Sequence, residues 1–332
     1  MNKFTFTCGD INGIGPEIVI KALNKISSTS KDKFIFICPL NVFKKNLKII
    51  KPSFDYLITD NIRQAFIKQV TVLNIGEYKS VFGKPTIVSG SAAFDAVKMS
   101  FRLADNKVVD AVITAPLSKT AVNLAGNNFP GHTEMYADWS NVKNFVMMFL
   151  SERMNAALAT IHEPIKKVPG LIKLNPLKKK AEVILNSLIK DLNISSPQIA
   201  VLGLNPHAGE EGLIGKEEQN ILKRLINIKE FKNYLSGPFS PDAFFANRMY
   251  KNFDLVLGMY HDQVLIPFKL INFGAGVNYT AGLPIVRTSP DHGTAFDVAG
   301  KGIANESSII KAYQYAKKIV INRKRFGKIE TS

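Results

Sequence analysis

The chain has 332 residues, of which 46% are hydrophobic, and its net charge is +16. A mean hydropathy near zero (+0.03) predicts a globular protein with enough apolar surface for two domains. Since no apolar run approaches the length of a bilayer span and the first residues lack a signal-peptide layout, we expect a cytoplasmic protein without a membrane association. Cys8 and Cys38 lie in predicted strands, a position typical of buried free thiols in a reducing compartment.

The positive charge raises the possibility of a nucleic-acid-binding protein. The lysine clusters are scattered along the chain, and no RNP-type aromatic motif accompanies them. A solvated, lysine-rich surface that can attract anionic substrates is the better interpretation. A basic RNA-binding protein without catalysis is kept as an alternative.

The first element in chain order is a strand over 3–8, followed by a glycine-rich loop, 9–17, and a helix to about Leu23. Such a loop between strand and helix can bind an anion, or it can be a tight turn without a ligand. It lacks the GxGxxG spacing because Ile18 occupies the position of the third glycine. A standard dinucleotide fingerprint is therefore excluded here.

Strands and helices alternate along the rest of the chain. Strands are predicted over 33–38, 110–114, 144–150, 155–161, 198–204 and 254–259, helices over 91–103, 176–192, 217–228 and 308–321, and a mixture of helix and strand over 54–75. The strand at 144–150 is expected to pair with the strand at 155–161. This alternation indicates a parallel α/β architecture.

Three of the five histidines directly follow short hydrophobic strands: His162, His207 and His261. Ligands of α/β proteins bind beyond the carboxyl ends of strands, and three imidazoles with an open position are a known catalytic metal pattern. We therefore predict that these imidazoles bind one divalent metal. Each histidine alone is more typical of a hydrogen-bonded loop residue.

Other polar segments are also candidates for function. His132 and Thr133 stand at a predicted helix start, where free backbone N–H groups can bind an anion or where Thr133 can simply cap the helix. Residues 236–245 are predicted to form a rigid, proline-rich loop. The glycine-rich stretch 274–305 is too long for a plain surface loop and is predicted to carry function.

Taken together, these segments resemble the 4-hydroxythreonine-4-phosphate dehydrogenase family of pyridoxal phosphate biosynthesis. The matching motifs are GDINGIGPE, GHTE, LNPHAGE, GPFSPD, YHDQVLIPFK and GVNYTAGLPIVRTSPDHGTAFDVAGKGIA, in the family's order and over nearly the whole chain. The chain departs from the family pattern at Ile11-Asn12, where Pro-Ala is usual, and at Val264, where Gly is usual. Neither departure involves an expected ligand.

The resemblance implies a role for each matching residue. It implies metal binding by His162, His207 and His261, with one histidine supplied by the partner subunit of a homodimer. It implies substrate contacts by His132, Thr133, Lys269, Asn278 and Arg287. It implies nicotinamide dinucleotide binding by a loop that includes His292, Gly293, Thr294, Asp297 and Asn305.

The resemblance also implies a fold like that of the isocitrate and isopropylmalate dehydrogenases. We expect two α/β domains with parallel or mixed sheets and a cleft between them. One domain is expected to comprise 1–130 together with 285–332. The other, 131–284, is expected to carry the metal ligands and the dimer contacts.

The implied reaction is the oxidation of 4-phosphooxy-L-threonine by NAD or NADP with one divalent metal, Zn²⁺, Co²⁺ or Mg²⁺. The product, 2-amino-3-oxo-4-phosphooxybutanoate, decarboxylates to 3-amino-2-oxopropyl phosphate. Lys269 and a metal-bound hydroxide are candidates for the general base. Asp262 and Asp242 are expected to orient the histidine ligands, because carboxylates often fix the imidazoles of metal sites.

Two further alternatives share the histidine pattern. A related metal-dependent dehydrogenase would oxidise another hydroxy acid or diol carboxylate. A three-histidine metallohydrolase would need the metal and no dinucleotide.

Overall fold

The computed structural model describes residues 1–129, 131–272 and 274–329. Its strands are β1 (Lys3–Thr7), β2 (Lys33–Ile37), β3 (Tyr56–Thr59), β4 (Val70–Leu73), β5 (Ala111–Thr114), β6 (Val146–Leu150), β7 (Ala156–Leu158), β8 (Ile199–Leu202), β9 (Leu235–Phe239), β10 (Leu255–Gly258), β11 (Val277–Ala281) and β12 (Val286–Pro290). Its α-helices are α1 (Gly15–Thr29), α2 (Leu40–Leu47), α3 (Ile87–Asp105), α4 (Lys119–Leu124), α5 (His132–Trp139), α6 (Val168–Leu171), α7 (Leu174–Lys190), α8 (Lys223–Ile226), α9 (Pro241–Ala246), α10 (His261–Asn272) and α11 (Ser307–Ile329). Among the described helices, none combines the length and apolar character needed to cross a bilayer.

The chain folds into two compact units. Unit 1 comprises Met1–Asn141 with Leu283–Val320, and unit 2 comprises Val142–Gly282 with Ile321–Ser332, of which 330–332 lie outside the described residues. The division therefore places 131–141 in unit 1 and the end of α11 in unit 2, whereas the sequence predicted the opposite for both. Packing explains the first difference, because Tyr136 of α5 meets Ser100 of α3 through their hydroxyls at 2.5 Å.

Hydrogen bonds explain the second difference. Arg323 Nε donates to Asp191 Oδ1 at 2.7 Å, and Asn322 Nδ2 donates to the Asp191 carbonyl at 2.7 Å. Tyr279 of β11 donates its hydroxyl to the same carboxylate at 2.5 Å. The last turns of α11 are thus tied to unit 2.

Unit 1 contains a parallel sheet in the order β3-β4-β2-β1-β5-β12. Helices such as α3, which begins with a Thr86–Ser89 capping box, cover it. The carboxyl ends of all these strands lie on one edge of the sheet, because neighbouring strands run in the same direction. Unit 1 therefore has the architecture that the strand–helix alternation predicted.

Unit 2 contains a mixed sheet in the order β11-β6-β7-β10-β8-β9. β6 is antiparallel to both β11 and β7, which confirms the predicted pairing of the strands before and after 151–155. The other pairs are parallel. A core around Phe244, Val264 and Phe268 packs on this sheet and fixes α10 against it.

Three predicted segments differ from the structure. The region 54–75 holds two short strands and a 3₁₀ turn (Ile62–Gln64) where a helix was predicted. The predicted loop 236–245 is the edge strand β9 followed by α9; Pro238 fits there because an edge strand does not need every N–H. The predicted long loop 274–305 contains β11 and β12, whose buried, β-branched residues pair with β6 and β5.

Candidate active site

Three neighbouring parallel strands of unit 2 end beside one another. β10 pairs with β7 on one side and with β8 on the other, and these strands lead to His261, His162 and His207. We call this region, the strand ends with the three histidines, the histidine edge. It is the edge on which α/β proteins bind their ligands.

Side chains tie the strand ends of the histidine edge together. Thr160 Oγ1 donates to the carbonyl of Met259 at 2.7 Å. Gln263 accepts from the Met259 N–H at 2.7 Å and donates its amide to the carbonyl of Gly203 at 2.6 Å. These hydrogen bonds link the segments that carry the three histidines and restrict their motion relative to one another.

His162 and His261 are close neighbours at the histidine edge. Their ring centroids are 5.6 Å apart. Nδ1 of His261 lies 2.6 Å from Oδ1 of Asp262, and the His261 side chain is 38% exposed. A carboxylate at Nδ1 fixes the tautomer of an imidazole and directs Nε2 outward as a ligand.

His207 lies in an unusual turn. His207, Ala208, Gly209, Glu210 and Glu211 have φ values between +42° and +78°, which is a continuous left-handed turn. Non-glycine residues in this region cost about 1–3 kcal/mol each and are concentrated at functional sites. His162 is also left-handed, with φ of +47°.

A buried glutamate supports the turn before His207. Glu218 Oε1 accepts from the N–H groups of Leu204 and Asn205, both at 2.8 Å. A Cβ at Gly209 would lie 2.6 Å from Glu218 Oε2, so this glycine allows the carboxylate to approach the backbone. Sequence reasoning missed Glu218, which no motif relates to the histidines. It also assigned no role to Gln263, although this residue follows His261 in the motif YHDQVLIPFK.

The side chains at the histidine edge agree in part with the prediction that three histidines bind one divalent metal. Imidazoles with an adjacent carboxylate suit Zn²⁺ or Co²⁺. Within the described part of a single chain, no group of three or more His, Cys, Asp or Glu side chains is arranged to hold a metal ion. His162 and His261 are thus paired in one chain, and the assembly of a complete set with His207 stays a prediction.

A buried polar cluster in unit 1, the arginine pocket, surrounds Arg287. It consists of Thr114, His132, Thr133, Glu134 and Arg287. Arg287 is 1% exposed; its Nε and Nη2 donate to Thr114 Oγ1 at 3.1 and 2.6 Å, and its Nη1 donates to Thr133 Oγ1 at 3.4 Å. Burial lowers the pKa of Arg287 to about 10, so the guanidinium is charged at pH 7. A buried cation of this kind is a suitable partner for an anionic group.

His132 begins α5 inside the arginine pocket. Burial, together with the positive charges of Arg287 and Lys119, lowers the pKa of His132 well below its ordinary value, so the ring is neutral at pH 7. Its Nε2 is inaccessible and has no hydrogen-bond partner among the described residues. Buried polar atoms without partners are rare and indicate a missing ligand or water. The helix start predicted at His132 or Thr133 is confirmed.

The remaining predicted substrate residues lie in unit 2. Lys269 is exposed on α10, two turns after His261. Asn278 is on β11 opposite Phe149, and its Oδ1 is buried without a partner among the described residues. Asp242 was predicted to orient a histidine ligand and not to bind substrate. It lies at the start of α9 and accepts from Ser240 Oγ at 2.6 Å, and that bond lowers the pKa of its carboxyl group.

The predicted dinucleotide loop follows β12 in unit 1. The glycine-rich loop 9–17 packs directly against it: the Ile14 N–H donates to the Thr294 carbonyl at 3.0 Å, and a Cβ at Gly13 would lie 2.7 Å from that oxygen. Glu17 accepts from the Ala304 N–H at 2.8 Å. Close backbone approach therefore explains Gly13, and the loop 9–17 supports the loop 292–305.

Within the loop 292–305, the predicted residues lie at its surface. A Cβ at Gly293 would meet no atom within 4 Å, so a ligand could approach the backbone there. Asn305 accepts from the Ser307 N–H at 2.8 Å and so forms an Asx turn just before α11. The remaining positions, His292, Thr294 and Asp297, are half-buried or exposed.

Comparison with known proteins adds independent information. The family model described as pyridoxal phosphate biosynthetic protein PdxA matches residues 30–316. The chain belongs to the PdxA family. This membership confirms the family resemblance of the motifs and the assignment to the oxidoreductases of pyridoxine biosynthesis.

PdxA relatives match almost the full length of the chain. A 4-hydroxythreonine-4-phosphate dehydrogenase of Sulfurihydrogenibium sp. is 37% identical, over 98% of this chain and 100% of that protein. A relative of Oceanobacillus iheyensis, provisionally named D-threonate 4-phosphate dehydrogenase, is 36% identical over 93% of this chain and 95% of its own length. The crystal structure of the 4-hydroxythreonine-4-phosphate dehydrogenase of Klebsiella pneumoniae superimposes with a TM-score of 0.82 at 33% identity, covering 96% and 98% of the two chains. The α/β fold of the PdxA family is thereby confirmed.

Proposed function

We propose that the chain oxidises 4-phosphooxy-L-threonine to 2-amino-3-oxo-4-phosphooxybutanoate, which decarboxylates to 3-amino-2-oxopropyl phosphate, with NAD or NADP and one divalent metal. The name of the Sulfurihydrogenibium relative quoted above supports the substrate. The buried cation of the arginine pocket carries the proposal furthest, because a fully buried guanidinium suits a phosphorylated or carboxylated ligand.

The arginine pocket is proposed to bind an anionic group of the substrate. Arg287 is already oriented by Thr114 and Thr133, so little side-chain entropy is lost on binding. The neutral ring of His132 can donate or accept one hydrogen bond through Nε2. Lys269 and Asn278 are proposed as further substrate contacts.

The histidine edge is proposed to hold the metal through His162, His207 and His261. A divalent ion bound there would act as a Lewis acid toward the substrate hydroxyl, and the dinucleotide would accept the hydride. The residues of the chain supply orientation: Asp262 sets the tautomer of His261, and Glu218 and Gln263 fix the segments around the histidines. Lys269 is proposed as the proton acceptor. The loop 292–305 is proposed to bind the dinucleotide, with Gly293 as the point of closest approach.

A homodimer with a shared site is proposed for the assembly. Large apolar side chains are exposed on the two segments that follow His207 and His261: Leu213 (85%), Ile214 (43%), Ile266 (58%) and Leu270 (66%). Exposed apolar residues that occur together mark interaction surfaces. A second subunit covering them would bring its own histidine to the metal. The buried, free Cys8 and Cys38 suit the reducing cytoplasm proposed as its location.

A second candidate substrate is D-threonate 4-phosphate, because the Oceanobacillus relative is as similar in sequence as the others. The deciding experiment measures NADH formation with 4-phosphooxy-L-threonine, D-threonate 4-phosphate and a non-phosphorylated diol carboxylate, each with and without divalent metal. We expect the highest kcat/KM for 4-phosphooxy-L-threonine and no turnover after chelation. Equal turnover of the non-phosphorylated compound, or turnover that survives chelation, would contradict the proposal.

A further inference from the structure

Glu134 is the acidic side chain of the arginine pocket, and the proposed function gives it no role. It is the third residue of α5, and its Oε2 lies near Gly131, the residue before the helix. A Cβ at Gly131 would lie 3.3 Å from Glu134 Oε2 and 3.5 Å from Lys119 Cε, so the carboxylate and the lysine side chain both border the space above Gly131.

The carboxylate of Glu134 has an unmet requirement for donors. Its Oε2 is inaccessible and has no hydrogen-bond partner among the described residues, and the same holds for His132 Nε2 two residues earlier. A buried carboxylate oxygen without a donor is costly. Glu218 shows the usual solution in this chain, since its carboxylate accepts two backbone N–H groups and an asparagine amide. A helix-capping role would likewise satisfy Glu134, but no hydrogen bond from the Gly131 N–H to it is formed in the described structure.

We infer that Glu134 is a specificity-determining residue that binds the ammonium group of an amino-acid substrate. The inference rests on the proposed function and adds that one residue of the arginine pocket, Glu134, binds the ammonium group of the substrate. Arg287 and Lys119 supply positive charge for a phosphate or carboxylate, and Glu134 is the group of opposite sign beside them. A ligand with anionic groups and an ammonium group satisfies all of these side chains together.

The two candidate substrates differ at the position that Glu134 would read. 4-Phosphooxy-L-threonine has an ammonium group at C2, whereas a threonate 4-phosphate has a hydroxyl there. An ammonium group offers several N–H donors and a charge, while a hydroxyl offers one neutral donor. Glu134 therefore favours the amino compound by about 10- to 100-fold, as is typical of hydrogen bonds between charged groups.

The test replaces the charge and keeps the shape. kcat/KM is measured for wild type, Glu134→Gln and the control Asp138→Asn, an exposed acid one turn further along α5. The substrates are 4-phosphooxy-L-threonine and its 2-hydroxy analogue of the same configuration. We expect Glu134→Gln to lose about 10- to 100-fold on the amino compound and less than about threefold on the hydroxy compound, with Asp138→Asn unchanged.

Equal losses on both compounds would overturn the inference and leave the proposed function standing. A wild-type protein that turns over neither compound would overturn the proposed function instead. The affinities of the same two compounds, measured by calorimetry, then decide the inference: a preference for the amino compound that Glu134→Gln abolishes upholds it, and equal affinities overturn it. Thermal unfolding of each variant confirms that a loss is not a loss of fold.

Discussion

The arginine pocket and the histidine edge hold their polar side chains in position by different means. Arg287 is 1% exposed and is held by threonine hydroxyls in the interior of unit 1. The His261 side chain is 38% exposed, and its partner Asp262 lies at the surface. The pocket is therefore held by hydrogen bonds between buried side chains, whereas the histidine edge is held by hydrogen bonds from side chains to the backbone at the strand ends.

The backbone shows the same contrast. His132 and Thr133 begin a regular helix, whereas His162 and His207 have φ values of +47° and +51°. The cost of the pocket is desolvation of a charge, and the cost of the histidine edge is conformational strain. A bound ligand can offset either cost, so each region should respond to a different kind of substitution.

The largest effect is expected for Arg287→Lys, which keeps the charge of the pocket and loses the planar fork of donors. We expect kcat/KM to fall about 100- to 1,000-fold at saturating metal and dinucleotide, because a lysine cannot contact Thr114 and an anion together. Arg102→Lys, an exposed change in the same unit, is the control. A loss below about threefold would show that the pocket does not bind substrate.

Glu218→Ala tests whether backbone support is what fixes the histidine edge. The buried N–H groups of Leu204 and Asn205 would lose their acceptor, and we expect the free energy of unfolding to fall by about 2–4 kcal/mol. Metal affinity should fall about tenfold or more, since His207 follows Asn205 closely. Urea unfolding and metal titration measure these effects. Glu230→Ala, an exposed acid of the same unit, should change both quantities little.

Gly13→Ala tests how far packing alone positions a loop in unit 1. The added Cβ would lie 2.7 Å from the Thr294 carbonyl, and we expect a loss of about 1–3 kcal/mol in stability with a raised KM for the dinucleotide. Gly170→Ala, where a Cβ would meet nothing within 4 Å, is the matched control. An unchanged KM in a destabilised Gly13→Ala protein would separate the loop 292–305 from dinucleotide binding.

The smallest effect concerns the pH dependence of stability through His132. The pKa of His132 is lower in the folded chain than in the unfolded chain, where it is about 6.5. Below that pH the imidazole is protonated in the unfolded chain and stays neutral in the folded chain, so acid favours unfolding. The stability of the wild type is therefore complete above that pH and declines below it. His132→Asn should flatten the decline by up to about 1 kcal/mol per pH unit, measured by urea unfolding between about pH 7.5 and pH 5. Parallel pH profiles of the two proteins would contradict this assignment.

The sequence predicted the elements that local patterns define. Apolar runs located β7, β8 and β10, and because parallel strands end on one edge, the pattern also placed the three histidines there. The prediction of a helix within 54–75 was wrong, because the two strands there have only four residues each. Such short strands are too short to show the two-residue hydrophobic period. Glu134, Glu218 and Gln263 were missed as functional residues because their roles depend on contacts that close only in the folded chain.

Metal content tests the central claim most directly, because the histidine edge alone should bind the ion. Wild type, His207→Ala, His261→Ala and His132→Ala are loaded with Zn²⁺, dialysed and analysed by inductively coupled plasma mass spectrometry. One ion per chain is expected in wild type and in His132→Ala, and none in the other two variants. Equal metal content in all four proteins, or no metal in the wild type, would contradict the account.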